Sequence, residues 1–199
     1  VAALFPICLH LLTLGNRDGK RWSWGAFSLA IGLALLSPHP QLFQYLLLVA
    51  GAYALLLAFT THERIGKLPT ALAVRRLCYA AGCVALGVLI GAIQFWPLLV
   101  YKAYSPRAAG HDWFIATSYS FPIEELINVY LPQFSGILGK YWGRNVIHFH
   151  SEYTGAAVLV LAGAAFGGAW TGARKRFFWF WIGTGTVALL WALGGNTPF

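Results

Sequence analysis

Six apolar stretches, joined by connections that are strongly basic on alternate sides, constrain this chain more than any other feature. They run from Val1 to Leu14, Trp22 to Leu36, Gln41 to Phe59, Leu77 to Tyr101, Thr154 to Trp170 and Phe177 to Leu193. One set of connections carries Arg17, Lys20 and Arg21, then Arg64, Lys67, Arg75 and Arg76, then Arg174, Lys175 and Arg176, against only Asp18 and Glu63. The other set is the short turn at Pro38 to Pro40 and the long segment from Lys102 to Tyr153, where Lys102, Arg107, Lys140 and Arg144 are balanced by Asp112, Glu124, Glu125 and Glu152. Basic residues collect on the cytoplasmic side of membrane proteins. The pattern therefore predicts an all-α polytopic membrane protein with about six transmembrane helices. Val1, Phe199 and the loop of residues 102–153 fall on the external side.

Composition points the same way. The chain is 58% hydrophobic and 10% charged, with nine Trp, which is more apolar surface than a soluble domain of this length could bury. A net charge of +8 would suggest nucleic acid in a soluble protein. Here the excess sits in connections that would lie beside anionic lipid headgroups, so membrane lipid is the expected partner and nucleic acid is not. Cys8, Cys78 and Cys83 lie within or at the ends of apolar stretches and indicate no disulfide framework. The chain begins inside one apolar run and stops just after another, and reads as a segment of a longer membrane protein, with residues 1–199 forming one bundle.

Polar residues mark four places. Between Trp22 and Phe59 there is no Asp, Glu, Lys or Arg, yet Ser37-Pro38-His39-Pro40-Gln41 breaks the run with two prolines, which a continuous helix does not accommodate. Each half is at or just under the ~20 residues that cross the hydrocarbon, so the turn sits near the membrane boundary. His39 and Gln41, with Gln44 a turn later, either satisfy local backbone groups or form the polar wall of an outward-facing substrate cavity. Within the long loop, Phe121 to Pro132 is expected to be a short amphipathic helix. Ile123, Leu126, Ile127, Tyr130 and Leu131 form its apolar face, and Pro122, Glu124 and Glu125 suit a first helical turn. It would lie along the membrane surface with Glu124, Glu125 and Asn128 directed away from that face. The two carboxylates are then ordinary solvated charges, ligands for a sugar or metal, or groups for acid-base chemistry. Adjacent residues on a helix point about 100° apart and rarely act as a dyad.

Further along, Lys140 to Arg144 and His148 to Tyr153 return the chain to the membrane. An extended backbone would put His148, His150 and Glu152 on one face, where they could ligate a divalent cation, the one cofactor the residues suggest. The alternative is that these groups and Arg144 line a pocket by hydrogen bonding, while Tyr141, Trp142 and Tyr153 offer faces on which sugars stack. Before the loop, Pro97 is expected to kink or end the fourth crossing. Lys102 and Arg107 beyond it pair with loop carboxylates, meet a lipid-linked phosphate, or are simply solvated.

Several of these residues occur in ordered motifs. At His39-Pro40-Gln41, Ser118-Tyr119-Ser120-Phe121-Pro122-Ile123-Glu124-Glu125-Leu126, Tyr141-Trp142-Gly143 and Ser151-Glu152-Tyr153-Thr154-Gly155, the chain resembles bacterial YfhO-type membrane proteins. It departs from that pattern at Pro38, where a Gly usually stands, and at Ile123, where a second Pro is frequent. The resemblance implies a protein similar to GT-C glycosyltransferases, which transfer sugar from a polyprenyl-phosphate donor to a cell-envelope polymer on the outer face of the membrane. It would reside in the bacterial cytoplasmic membrane. The catalytic acid of that class belongs to a first external loop, and the one short external turn here, Ser37 to Gln41, has no acid. No catalytic residue is therefore transferred, and His39, Gln41, Glu124, Glu125, Arg144, His150, Glu152 and Tyr153 are the substrate-binding candidates. A transporter or lipid flippase, with the Pro-broken hairpin lining a path, and a structural membrane segment without chemistry are the competing readings.

Overall fold

The computed structural model describes the chain apart from residues 38, 61–69, 106–109, 111–116, 137, 145–152, 169 and 197–199. The described residues are helical, with no strand among them. They fall into two compact units, Val1–Ala108 and Ala109–Phe199.

The first unit holds four helices: α1 (Leu4–Asn16), α2 (Trp22–Leu35), α3 (Pro40–Thr60) and α4 (Thr70–Lys102). Pro40 opens α3, a position where the missing N–H costs nothing because that donor has no partner inside the helix. Along α3 the buried residues Phe43, Leu46, Ala50, Tyr53, Ala54 and Leu57 recur at three- and four-residue steps, which lays one face against its neighbours. A polar link fixes that packing, with the hydroxyls of Thr13 on α1 and Tyr53 on α3 2.9 Å apart.

The most extensive pairing is between α2 and α4, and small residues make it possible. Buried on α4 are Ala73, Ala80, Gly87 and Gly91. A Cβ built on Gly87 would lie 2.6 Å from the Ser28 carbonyl oxygen and from Ile31, and one on Gly91 would lie 2.7 Å from Leu35. Gly32 on α2 meets Ile90 in the same way. Gly87 and Gly91 are a turn apart and form the small-xxx-small pattern by which membrane helices bring their backbones close.

The large side chains of α4 point outward instead. Leu89 is 71% exposed, Ile93 80% and Trp96 70%. In water such a surface would drive aggregation; in lipid it is the expected exterior. Among the described residues, three segments are long and apolar enough to cross a bilayer: Pro40–Thr60, Thr70–Lys102 and Arg174–Asn196. Leu4–Asn16, Trp22–Leu35 and Ala156–Phe166 are apolar but shorter. At 1.5 Å per residue they reach roughly 16 to 21 Å, less than the ~30 Å hydrocarbon thickness.

One sequence expectation needs correction here. The fourth apolar stretch, expected from Leu77, begins as a helix at Thr70 and so takes in Arg75 and Arg76. The reason is that hydropathy drops at the arginines, whereas arginine is itself a good helix former. Of the two outcomes expected at Pro97, a kink or an end, the end does not occur, because α4 continues to Lys102. A proline near a helix end forfeits one backbone hydrogen bond, a loss that membrane helices tolerate.

Among its described residues the second unit contains two apolar helices, α5 (Ala156–Phe166) and α6 (Gly172–Leu193). Aromatic contacts join them: Phe166 meets Phe178 edge-on at 5.5 Å, and Trp170 stacks on Phe178 at 5.8 Å. Arg174, Lys175 and Arg176 form part of the first turns of α6 and do not precede it. The loop before α5 folds around a seven-residue 3-10 helix, Ile123–Val129.

Candidate functional site

Most of the described polar candidates meet in the second unit, around that 3-10 helix. Its entry is tied to the end of α6: the Phe121 N–H donates to the Ala192 carbonyl at 2.7 Å, and Asn196 Nδ2 donates to the Phe121 carbonyl at 2.9 Å. The Gly195 N–H donates to Ser120 Oγ at 2.9 Å. Its exit is tied to the lead-in to α5, where Thr154 donates to the Val129 carbonyl through both its N–H, at 3.3 Å, and its hydroxyl, at 3.1 Å. An otherwise irregular segment thus has both ends fixed.

The amphipathic helix expected from Phe121 to Pro132 is a shorter 3-10 helix of seven residues, and its polar residues are not simply solvated. Glu125 is 2% exposed and Asn128 3%, whereas Ile123, Ile127, Tyr130 and Leu131 are exposed. The apolar face thus points outward, as a surface embedded in lipid would, and the polar face turns into the loop. Buried polar groups require partners. Asn128 satisfies both ends of its amide with one residue: its Nδ2 donates to Ser135 Oγ at 2.7 Å, and the Ser135 N–H donates to its Oδ1 at 3.0 Å. Trp142 extends this network by donating from its N–H to the Ser135 carbonyl and from its indole to the Phe134 carbonyl, at 3.1 and 3.2 Å.

The two adjacent carboxylates diverge because successive residues on a tight helix leave the axis in different directions. Glu125 accepts a short hydrogen bond from the Tyr141 hydroxyl. Glu124 meets Arg144 in a two-pronged ion pair, with Nε 2.5 Å from Oε1 and Nη2 2.8 Å from Oε2. Gly143 lies between the two arrangements, and a Cβ there would collide with the Glu125 carboxylate and the Tyr141 ring. A larger residue there would have to displace the ends of both side chains.

The Arg144 hydrogen bonds hold the Glu124 carboxyl at about 2, well below its ordinary 4.5, and the carboxylate in turn pushes the guanidinium up. A depressed acid stabilises the fold above its unfolded pKa and loses that contribution as pH falls toward the folded value. The Glu124–Arg144 contribution is thus complete above about 4.5 and disappears between about 4.5 and 2. Carboxyl-detected NMR titration is expected to show the Glu124 midpoint near 2 and its return toward 4.5 in Arg144→Gln. An unchanged midpoint in the variant would separate the two groups.

The remaining candidates are distributed as follows. Tyr153 is half-buried immediately before Thr154. His150 and Glu152, and with them the suggested metal set that includes His148, lie outside the described residues, as do Arg107 and Asp112. No group of three metal-binding side chains occurs among the described residues. His39 and Gln41 belong to the first unit, where both are exposed and Gln41 donates to the Tyr45 hydroxyl at 2.8 Å.

From the sequence, Glu124, Glu125 and Arg144 are separate polar residues and Tyr141 an aromatic face. Glu124 and Arg144 are twenty residues apart, so no local periodicity links them. No protein-family model, curated protein or solved structure matches the chain.

Proposed function

We propose that this chain belongs to a membrane-embedded, GT-C-like glycosyltransferase, which passes sugar from a polyprenyl-phosphate donor to a cell-envelope polymer on the outer face of the bacterial cytoplasmic membrane. Residues 102–153 would be external and the three basic connections cytoplasmic. The observation that carries the reading is the division of labour between neighbouring carboxylates, one paired with Arg144 and the other buried against Tyr141. Motif order and the charge alternation support it as well.

In this reading the acceptor oxygen forms a bond to the sugar's anomeric carbon as the bond from that carbon to the lipid phosphate breaks. The acceptor hydroxyl must give up a proton, and the departing phosphate gathers negative charge. Glu125 is the carboxylate withheld from solvent and the one suited to receive that proton. Arg144, with its planar fork of donors, is suited to exchange Glu124 for the donor phosphate. Trp142, more than half exposed, supplies a face for the sugar. Outward-facing Ile123, Ile127 and Leu131 let the lipid chain approach along the interface.

Sugar transfer from a radiolabelled polyprenyl-phosphate donor to envelope acceptors, in membranes carrying the protein, tests this. Arg144→Gln is expected to raise the donor KM roughly tenfold with a smaller change in kcat, the signature of lost phosphate binding. Failure to consume any donor across a broad panel would overturn the assignment.

A further inference from the structure

The first unit has a second polar feature that sugar transfer does not use. Where α1 ends, α2 begins and α4 makes its first turns, a cavity of about 690 Å³ opens among side chains from all three. Its wall carries four arginines, Arg17, Arg21, Arg75 and Arg76, and one carboxylate, Asp18. None of these five makes an ion pair or a side-chain hydrogen bond among the described residues. Trp24 and Tyr79, also on the wall, stack at 5.9 Å and give it a rigid aromatic side.

Among the described residues, two atoms on this wall have no hydrogen-bond partner. Arg76 Nη1 is shut off from solvent with no acceptor, and Asn16 Oδ1 is buried with no donor, although Asn16 Nδ2 bonds to the Leu12 carbonyl. Native proteins leave few such groups, and each calls for a partner. Arg75 and Arg76 are also adjacent like charges, which repel unless an anion sits between them. An oxyanion that accepts from guanidinium, attached to a group that donates to an amide oxygen, would satisfy both atoms.

We propose that this cavity binds a phosphate ester bearing a hydroxyl donor. Arginine forks match phosphate oxygens in pairs, and the cavity volume falls within the usual ~300–1,000 Å³ of small-ligand sites. The ester is either the headgroup of an anionic phospholipid or a free phosphate compound. The inference is independent of the sugar-transfer reading, because it rests on none of that site's residues.

The full chain in nanodiscs of phosphatidylcholine doped with phosphatidylglycerol, released into native mass spectrometry, gives the test. The intact chain is expected to retain phosphatidylglycerol in preference to phosphatidylcholine. Arg76→Gln and, separately, Arg21→Gln should each weaken retention roughly tenfold, as loss of a charge-assisted phosphate contact does. Arg174→Gln, which removes the same charge elsewhere, should leave it unchanged. Arg21 is exposed in the turn before α2, so its variant remains informative if Arg76→Gln fails to fold. Displacement of the lipid by inorganic phosphate would assign recognition to the phosphate alone, and retention in its presence would assign it to the whole headgroup. The proposal is overturned if neither lipid nor phosphate is held, or if Arg174→Gln weakens retention as much as the two cavity variants.

Discussion

Glu125→Gln is expected to lower kcat for sugar transfer by roughly 100-fold or more while the protein keeps its folded level in the membrane. A positioned general base contributes on the order of 10²–10⁴ in rate, and the substitution keeps the side-chain shape while removing its ability to take a proton. The amide oxygen of Gln can still accept from Tyr141, so the local network survives. Tyr141→Phe, which removes the phenol and leaves the carboxylate, should cost less in kcat. Comparing single-turnover rates of the two variants separates these roles. Equal activity of Glu125→Gln and the intact protein would remove Glu125 from the chemistry and leave it a buried structural acid.

The second large effect concerns the α2–α4 contact. Gly87→Val is expected to destabilise the first unit by about 1–3 kcal/mol, the usual cost of forcing extra carbons into a close-packed contact. The cost falls at the upper end because the Cβ meets a carbonyl oxygen as well as Ile31, and backbone does not swing aside. Gly82, five residues earlier on the same helix, has open space where its Cβ would be. Gly82→Val should therefore stay within about 0.5 kcal/mol of the parent. Reversible denaturant unfolding in detergent micelles reads both. Similar losses in the two variants would mean that helix propensity, not packing, sets the response.

Hydropathy made the helices legible where charge and proline mark their ends. The stretch expected from Trp22 to Leu36 is the helix Trp22–Leu35, and that from Gln41 to Phe59 is Pro40–Thr60. It misjudged α4 because helical backbone does not stop where a side chain becomes charged. The close approach at Gly87 and Gly91 was visible in principle, since the two glycines stand four residues apart in an apolar run, but Gly82 stands in the same run and packs against nothing. Glycine spacing identifies a candidate contact, and only the partner helix decides it.

The loop was harder to read. Ile123, Ile127 and Leu131 are all exposed, but which side of a segment is buried depends on what surrounds it, and the periodicity of one segment is silent on that. Glu125 and Asn128 turn inward because Tyr141 and Ser135, distant in sequence, are there to meet them. Candidate residues were recognisable by type, and their pairings were not.

Sugar transfer at the outer face requires the Glu124–Arg144 and Glu125–Tyr141 cluster to face outward while the basic connections face the cytoplasm. Site-directed labelling in intact cells with a membrane-impermeant thiol reagent tests this directly, after Cys8, Cys78 and Cys83 are replaced by serine. Cysteine at Lys140 should react from outside, and cysteine at Lys175 should react only after permeabilisation. Reaction of the Lys175 position in intact cells, with the Lys140 position protected, would put the carboxylate cluster on the cytoplasmic side and contradict sugar transfer at the outer face.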